Sequence, residues 1–244
     1  MARVEVVLRV PQDYLKGTVL VTGFPGFGKI GYVVPRYLAS AMGLTKAGYV
    51  ITQRMPSVIV MEDDGVGLPF EIYLGSGLTV VVNRAVPDPR DQVAYCSELA
   101  SLASRVGVKY SILVGGLSRE YEPPDEKYGY RWLHNTHYKG PSLRAPLMDQ
   151  GLGVVGPLAL LHIFMEHYGV PSVMVLPYSS VTGVDYDSAL VGAKVILEEI
   201  LGLSAPLAGL EQLAARQREE LEKIAEVLSQ EEEEKQRRGG TIFM

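Results

Sequence analysis

Cysteine occurs once in the 244 residues, as Cys96, so no disulfide can form within the chain. Asparagine occurs twice, at Asn83 and Asn135, and such scarcity of a thermolabile residue points toward a heat-adapted source. No apolar run reaches the ~18 residues of a membrane span. The first ten residues, MARVEVVLRV, alternate like a strand and offer neither the apolar stretch nor the cleavage site of a signal peptide. These absences lead us to expect a cytoplasmic protein with no membrane partner. Lys and Arg number 23 against 28 Asp and Glu, a net charge of −5, whereas a chain built mainly to hold nucleic acid carries the opposite excess. What is abundant is apolar residues, at 47 %, enough for a sizeable core in one large domain or one domain with an appendage.

The most suggestive stretch is GTVLVTGFPGFGKIG, residues 17–31. Its β-branched start predicts a buried strand, its glycines a tight loop, and the residues from Ile30 onward an amphipathic helix. Strand, loop and helix in that order often open a ligand crevice in α/β proteins. Two nucleotide motifs nearly fit. Gly26, Gly28 and Gly31 satisfy G-x-G-x-x-G, but the acid expected about 20 residues on is missing. Gln53 and Arg54 stand there instead, and an arginine suits the 2′-phosphate of NADP. Gly23, Gly28 and Lys29 satisfy G-x-x-x-x-G-K, but Ile30 occupies the place of the hydroxyl that would ligate Mg²⁺. SVIVMEDD, residues 57–64, resembles the apolar run ending in acids that accompanies such a loop, although acids commonly begin a solvated turn at a strand end. The plainer alternative is that Pro25, Gly26 and Gly28 only shape a turn.

Further strands are predicted over 2–10, 49–53, 57–61, 70–74, 78–82, 109–114 and 172–176. Helices are predicted over 29–42, 91–106, 153–168 and 188–201, with Gly43 and Gly169 as stops and Asp185 or Asp187 as a cap. Strand and helix alternate through most of the chain, so the expected architecture is α/β: a three-layer αβα sandwich around a largely parallel, mixed sheet. Residues 118–150 carry Tyr121, Tyr128, Tyr130, Trp132 and Tyr138 among Pro, Gly and charge. A strand or hairpin is expected there, with the aromatics covering a core edge or, by preference, a subunit interface. After residue 203 the composition changes to helix formers. Leu210, Ala214, Gln217, Leu221, Ile224 and Leu228 repeat at alternating spacings of four and three, which suits a helix lying on a neighbouring subunit or projecting into solvent. The expected division is a core at 1–203, a helical extension or spacer at 204–238 and a tail at 239–244.

Catalytic chemistry does not assemble from this sequence. His134 and His137 are an H-x-x-H pair lacking a third ligand, and His162 and His167 are five apart, poorly placed to share a helix face. Cys96 has no evident base, no G-x-S-x-G elbow is present, and the pairs Asp63–Asp64 and Asp185/Asp187 are explained by turns and capping. No catalytic residue, cofactor or metal is therefore expected.

Taken together, several stretches resemble the proteasome assembly chaperone family in its archaeal form. They are GFPGFGKIG at 23–31, the Asp-Pro loop at 87–91, the strand ending VGG at 114–116, GLGVVGPLALL at 151–161 and the VDYDSA helix start at 184–189. The resemblance implies an αβα sandwich that forms homo-oligomers and binds proteasome subunits without catalysis. Members have been labelled ATP-grasp enzymes, but the paired Mg²⁺ ligands and phosphate lysines such a label needs are not evident, so a nucleotide-binding enzyme using Gly23 to Gly31 stays as the alternative. Relatives also dock on the proteasome core particle through a C-terminal hydrophobic–Tyr–X motif. Ile242, Phe243 and Met244 resemble it with Phe in place of Tyr, and are the partner-binding residues the resemblance implies. Phe243 keeps the stacking area and loses the phenolic hydrogen bond. The helix before Gly239 and Gly240 would act as a spacer of about 50 Å.

Overall fold

A computed structural model of the chain describes residues 3–62, 65–179, 183–204 and 206–239. In chain order it begins with β1 (Val4–Leu8), β2 (Val19–Gly23), α1 (Ile30–Ala41), β3 (Thr45–Thr52), β4 (Val60–Glu62) and β5 (Gly65–Gly67). Next come β6 (Phe70–Gly75), β7 (Leu78–Asn83), α2 (Gln92–Val106), β8 (Tyr110–Val114) and the short β9 (Leu117–Ser118). The last elements are β10 (Tyr130–His134), α3 (Pro157–His167), β11 (Ser172–Ser179), α4 (Tyr186–Lys194) and α5 (Ala208–Gly239). α4 continues into a wider π-helical turn over Val195–Leu201, which Gly202 ends in the left-handed conformation that glycine adopts without strain.

One sheet of nine strands organises the domain, in the order β1-β3-β6-β7-β2-β8-β11-β10, with β9 also paired to β11. β2 lies parallel to β7 and β8, and β8 parallel to β11. The outer pairings β1–β3, β3–β6, β6–β7 and β10–β11 are antiparallel. The sheet is thus mixed, with a parallel centre. Alternation along the central strands divides the core. Val19 and Val21 of β2, with Val80 and Val82 of β7, face α1, α4 and the start of α5. Leu20 and Val81 face the opposite way, with Tyr95, Leu99, Leu158 and Leu161 of α2 and α3. Strands covered on both faces must be apolar at every position, which is why they read as continuous Val and Leu runs.

β3 points the same way as β2 but lies three places from it, because the β6–β7 hairpin folds in between. At about 4.8 Å per strand, the end of β3 is ~14 Å from the glycine loop. An acid at Gln53 could not have reached a ribose held there. The topology therefore removes the dinucleotide geometry that the spacing alone left open.

In the aromatic stretch the expected strand forms as β10, at the sheet edge, and its aromatics take the core-edge place rather than the preferred subunit interface. Tyr130, Trp132 and Tyr138 are buried inside this chain, not on a subunit interface. β10 pairs with β11, so alternate residues Tyr130 and Trp132 face the α1–α4 side, where Trp132 Nε1 donates to the Ala145 carbonyl at 2.8 Å. Tyr121 and Tyr128 remain exposed. The start of α5 belongs to the core as well, since Leu210 and Ala214 are fully buried.

Candidate functional site

The loop after β2 is shaped by close approach. A Cβ on Gly23 would stand 2.1 Å from the Val114 carbonyl oxygen, and one on Gly31 2.3 Å from that of Phe24. Only glycine lets α1 start this close to β2 and β8. Asn83 locks the strand end beneath: its amide donates to the Gly23 carbonyl at 2.8 Å and to Thr22 Oγ1 at 3.1 Å, while Tyr95 Oη donates to it at 2.5 Å. The other asparagine has a similar duty, since Asn135 ties the residues after β10 to Val170, Tyr138 and Ser172. Both of the chain's asparagines are buried connectors.

Gly28 has a φ of 58°, and a Cβ there would meet Ser179 Oγ at 2.5 Å and Asp185 Cβ at 2.8 Å. The Asp185 amide donates to the Gly28 carbonyl at 2.9 Å. The Asp185 carboxylate caps α4 by accepting from the Ser188 amide at 2.9 Å, and also accepts from the hydroxyls of Ser179 and Ser188, each at 2.8 Å. A carboxylate packed beside the loop is the opposite of what a phosphate needs. Ile30, at the hydroxyl position of a P-loop, is completely buried, and Lys29 is exposed. Asp187 faces Arg218 of α5 at 3.4 Å, while Asp63 and Asp64 lie outside the described residues.

Beside this loop lies a crevice of about 610 Å³. β2 and β8 are neighbours: β2 runs directly into α1 on one face, whereas the chain after β8 passes through β9 and β10 before α3 covers the other face, and the crevice lies at the carboxyl ends of these two strands. Residues 24–27 make one wall, 115–118 with Tyr121 another, and 153–158 the third, with Leu176 behind. Its volume suits a small ligand or a few side chains. The lining side chains include no Lys, Arg, His, Asp or Glu, so nothing there neutralises phosphate or ligates Mg²⁺. Phe27, Tyr121 and Val155 stand at the mouth, 54 %, 51 % and 86 % exposed. Spread between Phe24 and Leu176, this lining has no signature in sequence beyond its glycines.

A second feature escaped sequence reasoning. Arg84 is buried between two carboxylates, reaching Glu71 and Glu62 at 2.5 Å each. Arg36 pairs with Glu62 at 3.1 Å and Lys46 with Glu71 at 3.4 Å. Burial works against the Arg84 charge, but hydrogen bonds to Glu62 and Tyr73, with the field of Glu71, outweigh it and raise the pKa further. The network fastens the β4–β5 hairpin, because Arg84 also donates to the Leu68 carbonyl and Lys46 to that of Val66. The hairpin in turn exposes Ile59, Met61 and Val66. A lone charge, Glu71, within the apolar strand FEIYLG was the available signal.

The other expected chemistry stays apart. Cys96 is fully buried, its thiol pushed up to about 12 by that burial, and contacts the Pro157 carbonyl. His162 Nδ1 lies 3.1 Å from Ser172 Oγ, and burial lowers its pKa. His137 faces the carbonyl of Glu166, and His134 that of Asn135. Among the described residues no three His, Cys, Asp or Glu side chains gather closely enough to hold a metal ion. No described helix is long and apolar enough to cross a membrane.

The C-terminal helix has a defined path. Near its start Glu211 faces Lys194 at the end of α4, at 3.6 Å. Two turns later Gln217 donates to the Val184 carbonyl at 2.6 Å and accepts from the Tyr186 amide at 2.9 Å, at the beginning of α4. α5 thus runs antiparallel to α4, toward the carboxyl ends of the parallel strands, where the crevice also opens. Ile242, Phe243 and Met244 lie outside the described residues.

A family model described as PAC2 family matches residues 20–225. Among solved structures, Pyrococcus furiosus PbaA, described as an archaeal homologue of proteasome-assembly chaperone, superposes with a TM-score of 0.78 at 17 % identity, over 99 % of each chain. P. furiosus PbaB, described as an archaeal proteasome activator, gives 0.70 at 18 % identity, covering 92 % of this chain and 98 % of that one. A proteasome-assembly chaperone homologue from Mycobacterium tuberculosis gives 0.57 at 14 % identity, covering 84 % and 94 %. At these identities the structural likeness is one of fold. No curated protein matches the sequence.

Proposed function

The chain belongs to the PAC2 family, and from that premise we propose that it is a non-enzymatic, oligomeric chaperone or activator that binds proteasome subunits or the assembled core particle. Its fold neighbours include an assembly-chaperone homologue and a proteasome activator. The observation that carries the reading is the path of α5. The helix is anchored on the core by Leu210, Ala214 and Gln217, then continues from Arg218 to Gly239 beyond the start of α4. That continuation is about 30 Å, shorter than the 50 Å spacer expected from length alone because its first turns are core. It would carry Ile242, Phe243 and Met244 away from the domain as a docking tail, with Gly239 and Gly240 as a swivel. Several tails on one homo-oligomer would bind together more tightly than singly.

A crevice without charged side chains and a glycine loop backed by Asp185 give the nucleotide alternative little support. Truncation after Thr241 tests the docking role. We expect capture of proteasome core particles to fall at least tenfold while the melting temperature stays that of the full chain; unchanged capture would remove the tail's docking role.

A further inference from the structure

We propose that the crevice between residues 24–27, 115–121 and 153–158 is the seat for the C-terminal segment, residues 237–244, of a second copy of this chain. Three observations choose that occupant, independently of any proteasome partner.

The first is the chemistry of the seat. Apart from the Ser118 and Tyr121 hydroxyls, the side chains lining the cavity of about 610 Å³ are apolar, and its mouth holds the exposed side chains of Phe27, Tyr121 and Val155. Water in contact with such a surface is displaced favourably by apolar side chains. Ile242, Phe243 and Met244 are three consecutive side chains of that kind.

The second is reach. Arg218 stands level with the start of α4, at 3.4 Å from Asp187, and the helix then runs on through residue 239. At 1.5 Å per residue that is about 30 Å beyond the domain. Residues 240–244 span at most about 18 Å when fully extended. The tail therefore falls short of its own crevice, although both lie toward the same end of the sheet. A neighbouring copy's crevice is the one it can meet.

The third is charge. The turn that brings Tyr121 to the mouth places Glu120 and Glu122 on either side of it, and the turn's own cation, Arg119, is paired with Glu122 at 3.2 Å. The segment brings Arg237 and Arg238 just ahead of its glycines and apolar end. Arg237 and Arg238 bring positive charge to a rim that carries Glu120 beside the Arg119–Glu122 pair. The two glycines let the chain bend between those contacts.

Site-specific crosslinking of the full chain, with no other protein present, tests this. Phe243→p-benzoylphenylalanine is installed and irradiated, products are separated on a denaturing gel, and adducts are mapped by mass spectrometry. We expect a band at twice the chain mass, with the adduct on residues 24–27, 115–121 or 153–158. Val155→Asp, at an 86 % exposed position where folding is not at stake, should cut that adduct at least fivefold with an unchanged melting temperature. Adducts within one chain, adducts elsewhere on the domain, no adduct, or a yield indifferent to Val155→Asp would each overturn the proposal. Because no proteasome is present, the outcome is separate from that of the core-particle experiment.

Discussion

Two apolar surfaces of this domain are built on opposite principles. The crevice is concave and exists because side chains are missing: Gly23, Gly31 and Gly116 let backbones approach to distances at which a Cβ would collide. The β4–β5 hairpin is convex, exposing Ile59, Met61 and Val66, and is held by the buried ion pairs of Arg84, Glu62 and Glu71. Backbone contact fixes the crevice whatever the solvent. Charge pairing fixes the hairpin only while every partner is present, since an unpaired buried carboxylate is costly. The crevice is therefore sensitive to added side-chain atoms and the hairpin to lost charge partners.

The largest expected effect lies at the hairpin. Arg84→Met should lower unfolding free energy by about 3–5 kcal/mol, because Glu62 and Glu71 stay buried without their main counter-charge. Denaturant unfolding measures the loss, and a change below about 1 kcal/mol would mean that the pairs are solvated. At the crevice, Gly23→Ala should cost about 1–3 kcal/mol through collision with the Val114 carbonyl. Gly26→Ala in the same loop meets nothing nearer than 4.0 Å and should be close to neutral. Equal melting temperatures for the two variants would contradict the close-approach account.

A smaller effect comes from pH. Burial lowers the His162 pKa, with Glu166 partly opposing and His134 assisting. The unfolded chain takes up a proton below about pH 6.5 that the folded chain resists. Stability should therefore fall as pH drops through 6.5 toward the folded pKa, and His162→Gln should flatten that part of the profile. The smallest effects belong to the exposed tips: Met61→Ser and Val155→Ser should each stay within about 0.5 kcal/mol of the parent. A large loss at either would show that the surface is already covered within the domain.

The parallel central strands were legible because burial on both faces demands unbroken apolar runs, as in Leu78–Asn83 and Tyr110–Val114. The order of those strands was not. Inserting β6 and β7 between β2 and β3 leaves no local trace, so a spacing that fits a dinucleotide motif described a geometry the chain does not form. Tyr130 and Trp132 showed their alternation, but which chain they would pack against depends on β11, forty residues on. Arg84, Glu62 and Glu71 meet through tertiary contact alone and have no spacing to read. The capping role of Asp185 was readable from its place before a helix, whereas its second role, closing the glycine loop, depends on the distant Gly28.

The proposed role is binding to proteasome particles rather than turnover of a substrate. Sedimentation of purified core particles with the full chain and with the chain ending at Thr241 tests it most directly. Co-sedimentation of the full chain is expected, lost at least tenfold on truncation, with the melting temperature unchanged. A full chain that never co-sediments with core particles or their isolated subunits would contradict it.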